Sequence, residues 1–114
     1  MRFSVWLLCL VFAVNLNAQN QKNKADNLYA NGNYAKAIET YKTLQNLDDV
    51  YDEIAKAYIA IGNYGEGIAN YNKAIKANPE DALLKYEYAK LLTKTKNYKD
   101  SNQIFRTLIV LDSL

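Results

Sequence analysis

Gly62-Asn63-Tyr64-Gly65-Glu66-Gly67-Ile68-Ala69-Asn70-Tyr71 decides the fold, because the chain carries the same phrase three times. The other copies are Gly32-Asn33-Tyr34-Ala35-Lys36-Ala37-Ile38-Glu39-Thr40-Tyr41 and Lys96-Asn97-Tyr98-Lys99-Asp100-Ser101-Asn102-Gln103-Ile104-Phe105. A phrase returning at intervals of roughly 30 to 35 residues marks stacked supersecondary units, none of which can bury its apolar face alone. Such arrays present extended surfaces for binding.

Outward from each copy, apolar residues recur at helical spacing, and strand-like alternation is absent. Before the central copy, Tyr51, Ile54, Ala55, Tyr58 and Ile59 form one stripe; within it, Tyr64, Ile68, Tyr71, Ala74 and Ile75 form another. The last unit repeats this with Leu84, Tyr88, Ala89 and Leu92, then Ile104, Phe105 and Leu108. The first does so with Ala25, Leu28 and Tyr29, then Ala37, Ile38 and Tyr41. The reading is all-α: six helices in three antiparallel hairpins.

The punctuation agrees. Gly32 and Gly62 suit a left-handed turn between paired helices. Lys96 takes that place in the third copy, so that turn is expected to be strained or more open. Asn33, Asn63 and Asn97 are set to cap the second helices, with Glu66 completing a capping box at Asn63. Asn78-Pro79 ends one helix, and Glu80 and Asp81 favour the start of the next. The first interval is four residues shorter than the second. The second helix of the first unit is therefore expected to end near Leu47, with Asp48 capping the next helix and a tighter join than the one at Pro79.

With these residues in place, the chain resembles the tetratricopeptide repeat family. The family's first helix spaces an aromatic residue, a leucine, a small residue and a tyrosine as Tyr51, Ile54, Ala55 and Tyr58 stand here. Tyr88, Ala89 and Leu92 follow suit with Lys85 in the aromatic place, and Ala25 with Leu28 match in the first unit. The second helix spaces small, aromatic, small and Pro as Gly67, Tyr71, Ala74 and Pro79. Ala37 with Tyr41, and Ser101 with Phe105, match in part. The resemblance runs from about residue 21 to 114, with repeats at about 21–47, 48–79 and 80–114. It implies a tetratricopeptide-type α-solenoid.

The N-terminal 18 residues read as a bacterial secretory signal peptide. Arg2 precedes an apolar run from Phe3 to Val14, and Leu16-Asn17-Ala18 offers cleavage after Ala18. The run is shorter than the roughly 20 residues a spanning helix needs. Cys9 has no small residue just before it, which argues against lipid attachment. The expected product, residues 19–114, is exported to the periplasm or cell envelope. It contains neither His nor Cys, and its net charge is near zero, so no field favours nucleic acid.

Catalysis lacks parts. The usual general base and the thiolate nucleophile are both missing from residues 19–114, and no phosphate-binding loop or paired nucleophile motif occurs. No enzyme activity, cofactor, metal or small-molecule substrate is expected. Asp48, Asp49, Asp52 and Glu53 cluster, but no calcium loop is present, and acids suit a helix start.

The family resemblance implies a concave groove lined by the first helix of each repeat. The residues it assigns there are Lys22, Asp26 and Tyr29; Asp52, Lys56 and Ile59; and Tyr86 and Lys90. Asn23, Glu53, Glu87 and Thr93 accompany them. Mixed charge with a few anchors suits a protein or peptide segment. Asp26 and Glu53 stand where relatives that clamp a terminal carboxylate use Asn, so that ligand class is rejected.

The final helix is apolar over much of its circumference, and such a helix expects cover on more than one side. Ile104, Leu108 and Ile109 head a C-terminal interaction face running to Leu114. The expected function is non-catalytic protein–protein interaction in the envelope through the groove. The alternative is a structural assembly subunit, or the N-terminal part of a larger envelope or secretion complex protein, acting or self-associating through the last helix.

Overall fold

The structure, a computed structural model, describes residues 2–112, with side chains described from 16 to 111. Among the described residues there are six helices and no strand. They are α1 (Arg2–Ala30), α2 (Tyr34–Tyr41), α3 (Tyr51–Ala60), α4 (Tyr64–Ala77), α5 (Ala82–Lys94) and α6 (Tyr98–Asp112). Two compact units divide between Leu47 and Asp48.

Three turns close the hairpins in one geometry. Asn33, Asn63 and Asn97 each donate a backbone N–H to the carbonyl five residues earlier, at 2.8, 2.9 and 2.8 Å. Gly32, Gly62 and Lys96 each donate to the carbonyl three residues earlier, at 3.0, 2.9 and 3.1 Å. This pairing ends a helix by satisfying its last carbonyls, and it needs a left-handed residue in the middle. Gly32 and Gly62 supply it at φ 82° and 81°, and Lys96 is forced to φ 66°. The third turn is thus strained but no more open than the others.

In the first unit α1 packs against α2. Ala25 and Ala37 are fully buried at the crossing, with Ile38 and Tyr41 beside them. Small side chains let the helix axes approach while the larger ones fill the gaps. In the second unit α3 packs on α4, α4 on α5, and α5 on α6. Ala55, Tyr71, Ala74, Leu84 and Leu91 form one buried cluster, with Ile59, Ile68, Ile75 and Tyr88 packed against it.

The caps follow sequence only in part. Asn63 accepts a bond from the Glu66 N–H at 3.3 Å, and Asp81 caps α5 through the Leu84 N–H at 3.1 Å. Asn33 makes no such bond, and the Asn97 amide instead donates to the Thr95 hydroxyl at 2.8 Å.

The expectation for the first unit's exit is corrected. Helix α2 ends at Tyr41 rather than near Leu47, and Val50, not Asp48, is the N-cap residue of α3. The cause is local. Thr43 donates both its hydroxyl, at 2.6 Å, and its N–H, at 3.1 Å, to the Thr40 carbonyl, which the Leu44 N–H would take in a continuing helix. The backbone bonds tighten to a three-residue span at Thr43 and Leu44. Hydroxyls that compete for helical carbonyls favour such an exit. The connection from residue 42 to 50 is therefore longer than that from 78 to 81.

Candidate functional site

Each repeat places an acid and a lysine on one face of its first helix, and each acid pairs with its own lysine. On α1, Lys22 Nζ lies 2.9 Å from Asp26 Oδ2. On α3, Lys56 Nζ lies 3.7 Å from Asp52 Oδ2. On α5, Lys90 Nζ lies 3.1 Å from Glu87 Oε2. Spacings of three or four residues bring such side chains together on a helix surface. The lysines of α3 and α5 remain almost half exposed.

Asp26 has a second partner. Its other carboxylate oxygen accepts the Tyr41 hydroxyl bond from α2. Burial opposes the charge on Asp26, but the Tyr41 bond, then the bond and charge of Lys22, together outweigh it and hold the carboxyl below its ordinary value. This carboxylate ties α1 to α2 as well as marking the surface.

The proposed anchors differ in availability. Tyr29 is half-buried, its ring edge-on to Tyr34 at 5.1 Å between centroids. Ile59 is also half-buried, because its side chain packs over Gly67 of α4. Tyr86 is the exposed one at 45 %. Lys90 Nζ sits 4.9 Å from its ring centroid, and Phe105 of α6 stands edge-on at 6.0 Å. Thr93 serves packing: its hydroxyl donates to the Ala89 carbonyl at 3.0 Å and meets the Ser101 hydroxyl at 2.5 Å.

On α6, Ile104 and Leu108 are half-buried, and Ile109 is 65 % exposed. Val110 and Leu111, at 60 % and 55 %, extend the exposed strip, and Leu114 lies outside the described residues. The acid–lysine pairing was available from residue spacing alone but was not drawn from it. The Tyr86–Phe105 contact joins two helices and had no local signal.

Among the described residues, no helix is long and apolar enough to cross a membrane. Nor does any group of their His, Cys, Asp or Glu side chains have an arrangement to hold a metal ion.

A family model described as tetratricopeptide repeat matches residues 53–113, more than half of the chain. No curated protein matches the sequence. Among solved structures, one similar in fold is the Yersinia enterocolitica type III secretion chaperone SycD, crystallised with a peptide of the translocator YopD. The TM-score is 0.71 at 16 % identity, covering 79 % of this chain and 72 % of that one. Three hairpins closed by the same left-handed turn, and a family match spanning the last two of them, make this chain a member of the tetratricopeptide repeat family.

Proposed function

We propose that the chain is a non-catalytic protein-interaction module of the bacterial cell envelope, capturing a partner segment on the faces of its first helices α3 and α5. The observation that carries this reading is the acid–lysine pair on α3 and on α5, each with its lysine exposed, and the exposed Tyr86 ring beside the second. Surface pairs of this kind contribute only about 0 to 1 kcal/mol each, so a partner's charges displace them at little cost. A face able to offer either sign, with an aromatic anchor, fits a polypeptide better than a ligand of one charge. The likeness of fold to a chaperone crystallised with a peptide supports the same direction.

Export is part of the proposal. Side chains from Leu16 to Asn20 are exposed, and Ala25 is the first buried one among those described. Cleavage after Ala18 would thus fall within an exposed stretch of α1. The test is partner retention from envelope extract by the wild-type chain and by Lys56→Ala with Tyr86→Ala. Loss in the double variant, with helicity unchanged, is the expected result; equal retention refutes the groove.

A second reading, assembly through α6, is favoured by the exposed strip Ile109, Val110 and Leu111. Ile109→Glu removes capture under that reading and leaves it intact under the first.

A further inference from the structure

The repeat gives each α6 residue a counterpart on α4, thirty-four positions earlier in the sequence. On α4 the corresponding face is covered by α5. Tyr71 is 2 % exposed and its ring meets Tyr88, and Lys94 of α5 sits over the Tyr64 ring. Leu91 of α5 also reaches within 3.5 Å of where a Cβ on Gly67 would stand. On α6 the counterparts of Tyr64 and Ile75 are Tyr98 and Ile109, which are 55 % and 65 % exposed. The α4–α5 interface therefore has a second template on α6. Its polar departures are Asn102 in place of Ile68 and Ser101 in place of Gly67, and the Ser101 hydroxyl is already engaged by the Ala89 carbonyl and Thr93 of α5.

What α5 brings to α4 is a stripe of Leu84, Tyr88 and Leu91. The same register on α3 holds Val50, Ile54 and Ala57, all buried. On α1 it holds Asn20, Lys24 and Asn27, all exposed. A second copy stacking head to tail would press the α6 strip against two amides and a lysine, leaving polar groups buried without partners. The α1 face does not fit.

We infer that the α6 face is a docking site for an amphipathic helix of another protein, one that carries a Leu–x3–aromatic–x2–Leu stripe in the register of α5. This rests on the assembly reading of α6 and is independent of the first-helix face. Continuity with the α4–α5 interface specifies the occupant: apolar groups at the first, fifth and eighth positions of its stripe, with its axis antiparallel to α6 as α5 runs to α4. Binding a helix by its apolar face is a recurrent mode of recognition.

The chain supplies its own probe. A fluorescent peptide of residues 78–95, which includes α5 and its Asp81 cap, is titrated against the purified chain and followed by anisotropy. The inference expects saturable binding that weakens at least roughly tenfold, the equivalent of about 1.4 kcal/mol, with Ile109→Glu. Tyr98→Lys is a second variant at an exposed site and should weaken binding as well. A peptide bearing Leu84→Asn, Tyr88→Lys and Leu91→Asn, the α1 pattern, should not bind. No binding, or binding indifferent to both variants, overturns the inference. So does light scattering that shows a dimer of the chain returned to monomer by Ile109→Glu, which would make a second copy the occupant. Because Lys56 and Tyr86 are untouched here, failure of this test leaves the first-helix reading standing.

Discussion

Gly67 of α4 lies so close under Ile59 of α3 that a Cβ there would stand 2.8 Å from Ile59 Cγ1. That carbon is bonded directly to Cβ and cannot swing aside like a chain end. Alanine at residue 67 gains about 1 kcal/mol of helix propensity, but overpacking of this kind costs roughly 1–3 kcal/mol. Gly67→Ala is expected to lower stability by about 1 kcal/mol in urea unfolding. On an Ile59→Ala background the same change should stabilise. A double-mutant cycle without that change of sign contradicts the close approach.

Lys96 holds the left-handed position that Gly32 and Gly62 hold in the other turns. The backbone hydrogen bonds are already made, so only the strain of a side chain in that conformation is removable. Lys96→Gly should raise stability by about 1 kcal/mol, a shift of roughly 4 °C or more in the melting midpoint. Gly62→Ala should move it the other way. A thermal melt checks both.

The carboxyl of Asp26 is held below its ordinary value of 3.8 by the Tyr41 and Lys22 interactions, which exceed the opposing effect of burial. Its folded value is thus below its unfolded one. The stabilisation is complete above the ordinary carboxylate range and is lost as pH falls through the folded value. Tyr41→Phe should destabilise the chain at neutral pH, and the gap from wild type should narrow below about pH 4. Parallel stability curves down to strongly acid pH would exclude this role for the bond.

If the proposed cleavage after Ala18 yields the working protein, removal of residues 1–18 should leave stability unchanged to within about 0.5 kcal/mol. The exposure of Leu16 through Asn20 motivates the expectation. A large fall in the unfolding midpoint on urea titration would mean that the leader helix belongs to the packed domain.

Much of the fold was legible because its determinants are local. The turn glycines, the small residues at 25, 37, 55, 67 and 89, and the Asp81 start are each read within a few positions. What escaped depends on competition or on distance. Thr43 takes the Thr40 carbonyl from α2, and the N-cap residue Val50 is buried and makes no side-chain cap bond, so neither boundary shows in the periodicity. The Asn97 amide N–H donates to the Thr95 hydroxyl, a contact within the turn that the capping pattern does not show. The first-helix residues were read singly and not as three ion pairs within their helices, although four-residue spacing implies them at Lys22 with Asp26 and at Asp52 with Lys56. Ser101 and Thr93 meet across the α5–α6 crossing, and only the fold brings them together.

The central claim is that the first-helix face holds a protein partner in the envelope. Its most direct measurement is a photo-crosslinking amino acid placed at residue 86 in the full-length chain, irradiated in intact cells, beside the same probe at Lys76 on α4. The account predicts one discrete protein adduct at position 86, lost when Lys56→Ala is added, and none at position 76. Adduct formation equal at the two positions, or none at residue 86, would contradict it.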